Sequence, residues 1–233
     1  MSAAKATMQR QEVLAHNLAN VSTNGFRAEL AAFRAVPVLG DGASTRVYTL
    51  ESTVGYNAQP GDVQSTGRNL DVAMKGNAWL AVQALDGTEA YTRAGAMEVN
   101  AEGVLVNIGG LPVLGDGGPI TVPANAAVEI AGDGTLSAQV GSGKSLSIGR
   151  LKLVTPEGQL ARGTDGLFRA PDGDLSADTT ARVQGGALEG SNVSAIETMV
   201  AMISAARQFE HQMKMLQNAE QKEQAAAKLL TQQ

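Results

Sequence analysis

At 233 residues the chain is long enough to bury a sizeable core, either as one large domain or as a smaller domain carried on long helices. A net charge of -5 and a pI near 5.1, without any Lys/Arg cluster, exclude nucleic acid as a partner. The absence of cysteine excludes disulfides, thiol nucleophiles and thiolate metal sites together, and no apolar run approaches the roughly 18 residues that direct membrane insertion needs.

From Ser2 to Leu18 there is neither Gly nor Pro, and Ala4, Met8, Ala15 and Leu18 recur at helical spacing with Gln11 interrupting them. The pattern predicts a helix with a narrow seam. It should stop in Asn20-Val21-Ser22-Thr23-Asn24-Gly25, where short polar side chains compete for backbone hydrogen bonds and Asn-Gly makes a turn. Met1 to Arg10 carries Lys5 and Arg10 but no following apolar stretch, so any export is expected to use a route other than a cleaved secretory signal. Phe26 to Tyr56 has no sustained period and reads as an extended linker.

Between Gln59 and Gly186 short alternating runs are punctuated by Asp-Gly pairs at Asp86, Asp116, Asp133, Asp165 and Asp172, with an earlier pair at Asp41 in the linker. These are hairpin signals. Expected strands are Ala78–Gln83, Ala96–Asn100, Val104–Asn107, Ile120–Val122, Val128–Ile130, Thr135–Val140 and Leu146–Val154. In the last of these the apolar parity switches between Ile148 and Leu151, so Gly149 should mark a bulge. Beyond it, Ser194-Ala195-Ile196-Glu197 has capping-box spacing and opens a stretch free of Gly and Pro to Gln233. Met199, Met202, Ala206, Phe209, Met213 and Leu216 alternate three- and four-residue steps, a heptad seam that then meets Glu220 and Glu223 and recovers at Leu229 and Leu230. One apolar stripe cannot stabilise a helix alone, so this one needs a partner, and the N-terminal helix is the obvious one. The four methionines Met199, Met202, Met213 and Met215 suit a surface that packs against non-identical neighbours as well as they suit an ordinary seam.

Motifs for chemistry fail on spacing. Gly141-Ser142-Gly143-Lys144-Ser145 ends like a phosphate-binding loop, but Ala138 stands where the first Gly is required, so a hairpin turn is expected. His16 and His211 are the two histidines, one per predicted terminal helix, which leaves no material for a triad or a multi-histidine metal site. Asp172-Gly173-Asp174 lacks the ligand spacing of a calcium loop and reads as a solvated turn. No catalytic, cofactor-binding or metal site is therefore expected, and paired carboxylates carry no spacing that would identify a glycosidase. Asn20-Val21-Ser22 and Asn192-Val193-Ser194 fit a glycosylation pattern but read better as a turn and a helix cap.

The stretch Asn17-Leu18-Ala19-Asn20-Val21-Ser22-Thr23-Asn24-Gly25-Phe26 closely resembles the N-terminal signature of the flagellar basal-body rod and hook proteins. Its motif residues are Asn17, Leu18, Asn20, Thr23, Gly25 and Phe26. Thr66-Gly67-Arg68-Asn69-Leu70-Asp71-Val72-Ala73, Tyr91-Thr92-Arg93-Ala94-Gly95 and Leu188-Glu189-Gly190-Ser191-Asn192-Val193 resemble further family motifs, in the expected order along the whole chain. Phe26-Arg27-Ala28, Arg34-Ala35-Val36-Pro37-Val38, Trp79-Leu80-Ala81-Val82-Gln83 and Arg150-Leu151-Lys152-Leu153-Val154 are most similar to the proximal-rod branch, with distal-rod and hook proteins the nearest alternatives. Relatives usually begin ahead of the point matching Met1, so the resemblance implies a longer N-terminal helix than this chain carries.

The resemblance implies an axial structural protein without enzymatic activity or cofactor. It would be exported unfolded by the flagellar type III apparatus and assembled in the periplasm with other rod proteins and copies of itself. Phe26-Arg27-Ala28-Glu29-Leu30 also resembles the aromatic-x-x-x-apolar element associated with the export gate. The fold expected is α+β. Residues 1–25 and 187–233 would give helices pairing as a coiled-coil-like axial layer, 26–58 an extended linker, and 59–186 a mainly antiparallel β domain. Met199, Met202, Ala206, Phe209, Met213 and Leu216 would form the assembly seam. A secreted β-rich binding module with a helical stalk is the alternative of another class, motivated by the turn-rich middle and Trp79.

Overall fold

The computed structural model describes residues 2–37, 47–141 and 143–230. The expected turn at Asp41, the motif residue Val38, Ser142 of the Gly-Ser-Gly-Lys-Ser run and the side chains of Leu229 and Leu230 lie outside the described residues. Two compact units emerge, one of residues 1–21, 28–57 and 193–233, the other of 22–27 and 58–192.

The first unit holds the two helices, α1 (Ser2–Ala19) and α2 (Ala195–Leu230), and an antiparallel hairpin of β1 (Glu29–Pro37) and β2 (Val47–Tyr56). The segment expected as an extended linker is thus a long strand pair, with an irregularity between Ala31 and Phe33. α2 starts where the capping box predicts, the amide of Glu197 donating to Ser194 Oγ at 3.4 Å. α1 ends at Ala19, and Asn20 Nδ2 caps it by donating to the carbonyl of His16 at 2.9 Å.

The second unit is built from antiparallel ladders. Its strands are β3 (Val63–Ser65), β4 (Val72–Met74), β5 (Trp79–Gln83), β6 (Glu89–Thr92), β7 (Met97–Val99), β8 (Leu105–Asn107), β9 (Leu114–Gly115), β10 (Gly118–Pro119), β11 (Ala126–Ile130), β12 (Thr135–Val140), β13 (Leu146–Arg150), β14 (Leu153–Val154), β15 (Ala161–Arg162), β16 (Phe168–Arg169), β17 (Val183–Gly185) and β18 (Ala187–Glu189). A five-stranded sheet runs β14-β5-β6-β16-β15 and a three-stranded one β11-β12-β13, and the rest pair two by two, including β17-β4 and β18-β3. Ile120–Val122, expected as a strand, contributes one isolated bridge, Thr121 to Val104.

Three of the Asp-Gly pairs act alike at hairpin turns, whereas the pair at Asp172 lies between β16 and β17, which do not pair with each other. Asp86, Asp133 and Asp165 each accept the amide two residues on, from Thr88, Thr135 and Leu167, at 3.0, 3.0 and 3.1 Å, while the following Gly takes the left-handed conformation that closes the hairpin. The parity switch expected at Gly149 is a register slip. Leu136 faces Gly149 and Ser137 faces Ser147, leaving Ile148 as the extra residue; the chain then restarts as β14, with Leu151 and Leu153 fully buried. The core beneath these ladders gathers Val72, Leu80, Val82, Leu105, Leu136 and Leu153, all aliphatic and essentially inaccessible. Burial at this density supplies the drive to fold, at about 25 cal/mol per Å² of apolar surface removed from water.

Candidate functional site

In the first unit α1 packs along α2. The covered side of α2 carries Thr198, Met202, Ala205, Phe209, Gln212 and Leu216, and that of α1 carries Ala4, Thr7, Gln11, Leu14 and Leu18. Both are heptad stripes, and both include polar residues. Thr7 Oγ1 donates to Gln212 Oε1 at 3.3 Å, so a polar layer sits where an apolar count sees only an interruption. Of the six residues expected at the assembly seam, Met202, Ala206, Phe209 and Leu216 are half-buried, whereas Met199 and Met213 are exposed. On α1, Met8 and Ala15 of the expected seam are likewise exposed. Met199 belongs to a second stripe, Ile196, Met199, Val200 and Ile203, which is 49–77% exposed and apolar. Four large side chains within two helical turns make a contiguous apolar surface, and Met213 and Met215 are further exposed apolar side chains along the same helix.

The family-motif residues divide between the units. Asn17 is buried, its amide donating to the carbonyl of Glu29 at 3.0 Å and its Oδ1 accepting the Glu29 amide at 2.8 Å. Asn17 thereby satisfies both backbone groups at the start of β1, as a strand neighbour would. The Glu29 carboxylate also meets His16 Nδ1 at 3.0 Å. Leu18 and Asn20 are half-buried at the end of α1. In the second unit Thr23 is exposed and its carbonyl accepts the Phe26 amide at 3.2 Å, which closes the turn. Gly25 and Phe26 are buried. Gly25 has φ +72°, and an added Cβ would overlap the backbone of Arg93 and Ala94, so both the conformation and the close approach require glycine.

The feature that residue-by-residue reading missed is a buried ionic hub. Glu189, 1% exposed, sits between two buried guanidiniums. Its Oε1 meets Arg27 at 2.6 Å and accepts the Gly61 amide at 3.0 Å, while Oε2 accepts from Arg93 through Nε at 2.9 Å and again through the terminal nitrogen. Arg93 also donates to the carbonyls of Met74, Gly76 and Ala78. A buried carboxylate in this position is tolerated because each of its oxygens is met by a cation. Beside it Phe26, Arg162, Phe168 and Trp79 stack in turn: the Arg162 guanidinium lies 4.5 Å from the Phe26 ring centre and 5.6 Å from that of Phe168, which is 4.7 Å from the ring of Trp79. The sequence signal was present but indirect, since Arg27, Arg93 and Glu189 each lie inside one of the motifs quoted above.

A second polar network joins Lys152, Glu89 and Tyr91. Lys152 Nζ lies 2.6 Å from Glu89, and the Tyr91 hydroxyl donates to Glu89 at 2.9 Å and accepts the Leu175 amide at 2.6 Å. Burial pushes the Tyr91 phenol above its ordinary range, so it stays protonated and serves as a hydrogen-bond link. Among the described residues there is no group of three or more His, Cys, Asp or Glu side chains able to hold a metal. His211 is exposed on α2, and Gly173 puts Asp172 and Asp174 on an exposed turn. Of the Gly-Ser-Gly-Lys-Ser run, Gly141, Gly143, Lys144 and Ser145 lie between β12 and β13, and the Gly143 amide donates to the Val140 carbonyl at 3.1 Å. No helix among the described residues is long and apolar enough to cross a membrane.

These motifs can now be set beside known proteins. Residues 1–27 match the profile described as flagella basal body rod protein, 73–138 that of the flagellar hook protein FlgE/F/G D1 domain, and 184–229 that of the flagellar basal body rod FlgEFG protein C-terminal. The chain is 47% identical to the flagellar basal-body rod protein FlgF of Salmonella typhimurium and to that of Escherichia coli, in each case over 99% of this chain and 96% of the relative. It is 34% identical to FlgF of Buchnera aphidicola (subsp. Schizaphis graminum), over 98% of this chain and 95% of the relative. The match at this level extends over nearly the whole of both chains, and on that ground the chain belongs to the flagellar basal-body rod protein family.

Proposed function

We propose that this chain is a structural subunit of the proximal part of the flagellar rod and works mechanically, without catalysis. The observation that carries the reading is its near full-length similarity to proteins named as the rod protein FlgF. In this reading the unit of α1, α2 and the β1–β2 hairpin supplies the axial layer. Residues 22–27 and 58–192 supply an outer β layer that sets spacing and stiffness. The exposed stripe of Ile196, Met199, Val200 and Ile203 supports this division, because an apolar surface on a helix gains most by facing another subunit. Met202, Phe209 and Leu216 hold the helix pair together beneath it, with Met199 and Met213 turned toward neighbours.

The partners are then other rod proteins and further copies of this chain. Delivery is by the flagellar type III export apparatus, and the place of assembly is the rod segment that crosses the periplasm. Deleting the gene in a motile bacterium that carries it, then scoring swimming and isolated basal bodies, tests the reading. Loss of rod and filament, restored by the wild-type chain but not by Ile203→Asp, is the expected result. Normal motility with intact basal bodies in the deletion strain overturns it.

A further inference from the structure

The two ends of the β unit are attached in different ways. Its outgoing end is woven into a ladder: β18 pairs with β3 through Ala187 with Ser65, Leu188 with Gln64 and Glu189 with Val63, and the Gly190 amide adds a bond to Asp62 at 2.8 Å. Its incoming end, residues 22–27, reaches the unit as a separate piece of chain, cut off in sequence from residues 58–192 by the β1–β2 hairpin. That piece docks through point contacts. The Gly25 amide donates to the Glu189 carbonyl at 2.8 Å, and the Asn192 amide donates to the Phe26 carbonyl at 3.3 Å. Arg27 meets the Glu189 carboxylate at 2.6 Å and the Gln59 carbonyl at 2.7 Å, and Arg162 covers the Phe26 ring while donating to the Arg27 carbonyl at 3.1 Å.

The charge arrangement decides what happens when such a piece lifts off. Removing a partner from a buried ion pair is costly because it strands the other charge. Here Glu189 has a second cation. With Arg27 gone, its carboxylate keeps both nitrogens of Arg93 and the Gly61 amide, while Arg27 leaves with its own segment and reaches water. Arg162 is half-buried and close to solvent already, and Phe168 keeps its contact with Trp79. Neither side of the opened contact is left with an uncompensated charge in the interior.

We propose that residues 22–27 form a strap that opens as a unit while the β ladders beneath it stay closed. Arg93 is the fixed partner of Glu189 and Arg27 the removable one. The chain connections to α1 and β1 then run through the releasable segment and the connection to α2 through a fixed one. Local opening below the free energy of global unfolding is a general property of segments with few ladder contacts. What is specific here is that the second arginine makes the open state electrostatically tolerable.

Native-state hydrogen exchange on the full chain, followed amide by amide, tests this. In the wild type, the amides of Gly25 and Asn192 should exchange through an opening that exposes little surface, with a weaker dependence on denaturant than those of Gly190 and Ala81. Leu136→Ala removes packing that the strap-open state keeps and only unfolding of the ladders loses. It should raise the rates at Gly190 and Ala81 on the order of 100-fold, as for a buried leucine cut back to alanine, and leave Gly25 and Asn192 within about threefold, the scale of a neutral substitution. Arg27→Met weakens the closed state against every opening and should accelerate all four amides. Equal acceleration of Gly25 and Ala81 by Leu136→Ala, or unchanged Gly25 exchange in Arg27→Met, overturns the strap. Should Leu136→Ala fail to fold, equal denaturant dependence of Gly25 and Ala81 in the wild type overturns it alone.

Discussion

Asn17 and Glu29 are paired as though Asn17 were a residue of a neighbouring strand: one amide group accepts from and donates to the same backbone residue, at 2.8 and 3.0 Å. The side chain at the end of α1 therefore starts β1, and the helix and the hairpin are joined by an element that only Asn, with an acceptor and a donor on one planar group, provides without a change in length. Asn17→Asp keeps the shape and loses the donor, setting a carboxylate against the Glu29 carbonyl. The cost should be about 1–3 kcal/mol of unfolding free energy, the usual penalty for an unmet buried polar group. Denaturant titration measures it, and a change under about 0.5 kcal/mol, as for a surface position, would show that the pairing is idle.

Gly25 separates two effects of glycine. Gly25→Ala meets both a positive φ and the backbone of Arg93 and Ala94, whereas Gly110→Ala meets a positive φ with open space around it. The second should cost about 1 kcal/mol, from conformation alone. The first should cost clearly more, because backbone must move to admit the methyl group. Thermal melts of the two variants side by side decide it, and equal losses would contradict the close approach.

Arg93 binds one carboxylate through two nitrogens and three carbonyls through the rest of its fork. Lys has a point charge and cannot reproduce that fan of donors. Arg93→Lys should therefore destabilise the fold by about 3 kcal/mol despite conserving charge, in the range for a broken buried pair. Glu189→Gln, which strands two guanidiniums, should be at least as damaging. Chemical denaturation of both variants checks the order.

Asp178 gives the chain a measurable acid response. Hydrogen bonds from the Thr155 hydroxyl first, then from the Thr180 hydroxyl and amide, hold its carboxyl down to about 2. The folded state thus favours the ionised form, so its contribution is complete above the ordinary value of 3.8 and is lost as the pH falls toward about 2. The stability difference between wild type and Asp178→Asn should accordingly be constant near neutral pH and shrink across that interval. A difference independent of pH would show that these hydroxyls do not hold the carboxylate.

Much of the architecture was legible because it follows from short-range chemistry. A capping box and the absence of Gly and Pro make α2, an Asn-Val-Ser-Thr-Asn-Gly run ends α1, and Asp-Gly turns fold strands back on themselves. The family motifs were legible as strings too. The heptad phase was harder. An apolar count selects Met8 and Met199, whereas the helices cover Thr7 and Thr198, because Thr7 is satisfied by Gln212 and the Thr198 hydroxyl donates to the Ser194 carbonyl. Two-residue strands such as β15 and β16 carry too few residues to show any period.

The sequence by itself therefore determined the α+β class, the two terminal helices, the hairpin turns and the family, since each depends on neighbours a few residues apart. Only the tertiary structure decided that β14 closes the sheet against β5, that residues 26–56 hold a strand pair, and that Arg27, Arg93 and Glu189 converge on one buried carboxylate. Those three residues are separated by 66 and 96 positions in the chain. No local rule connects them; what brings them together is the requirement that a charge taken out of water be met by another of opposite sign.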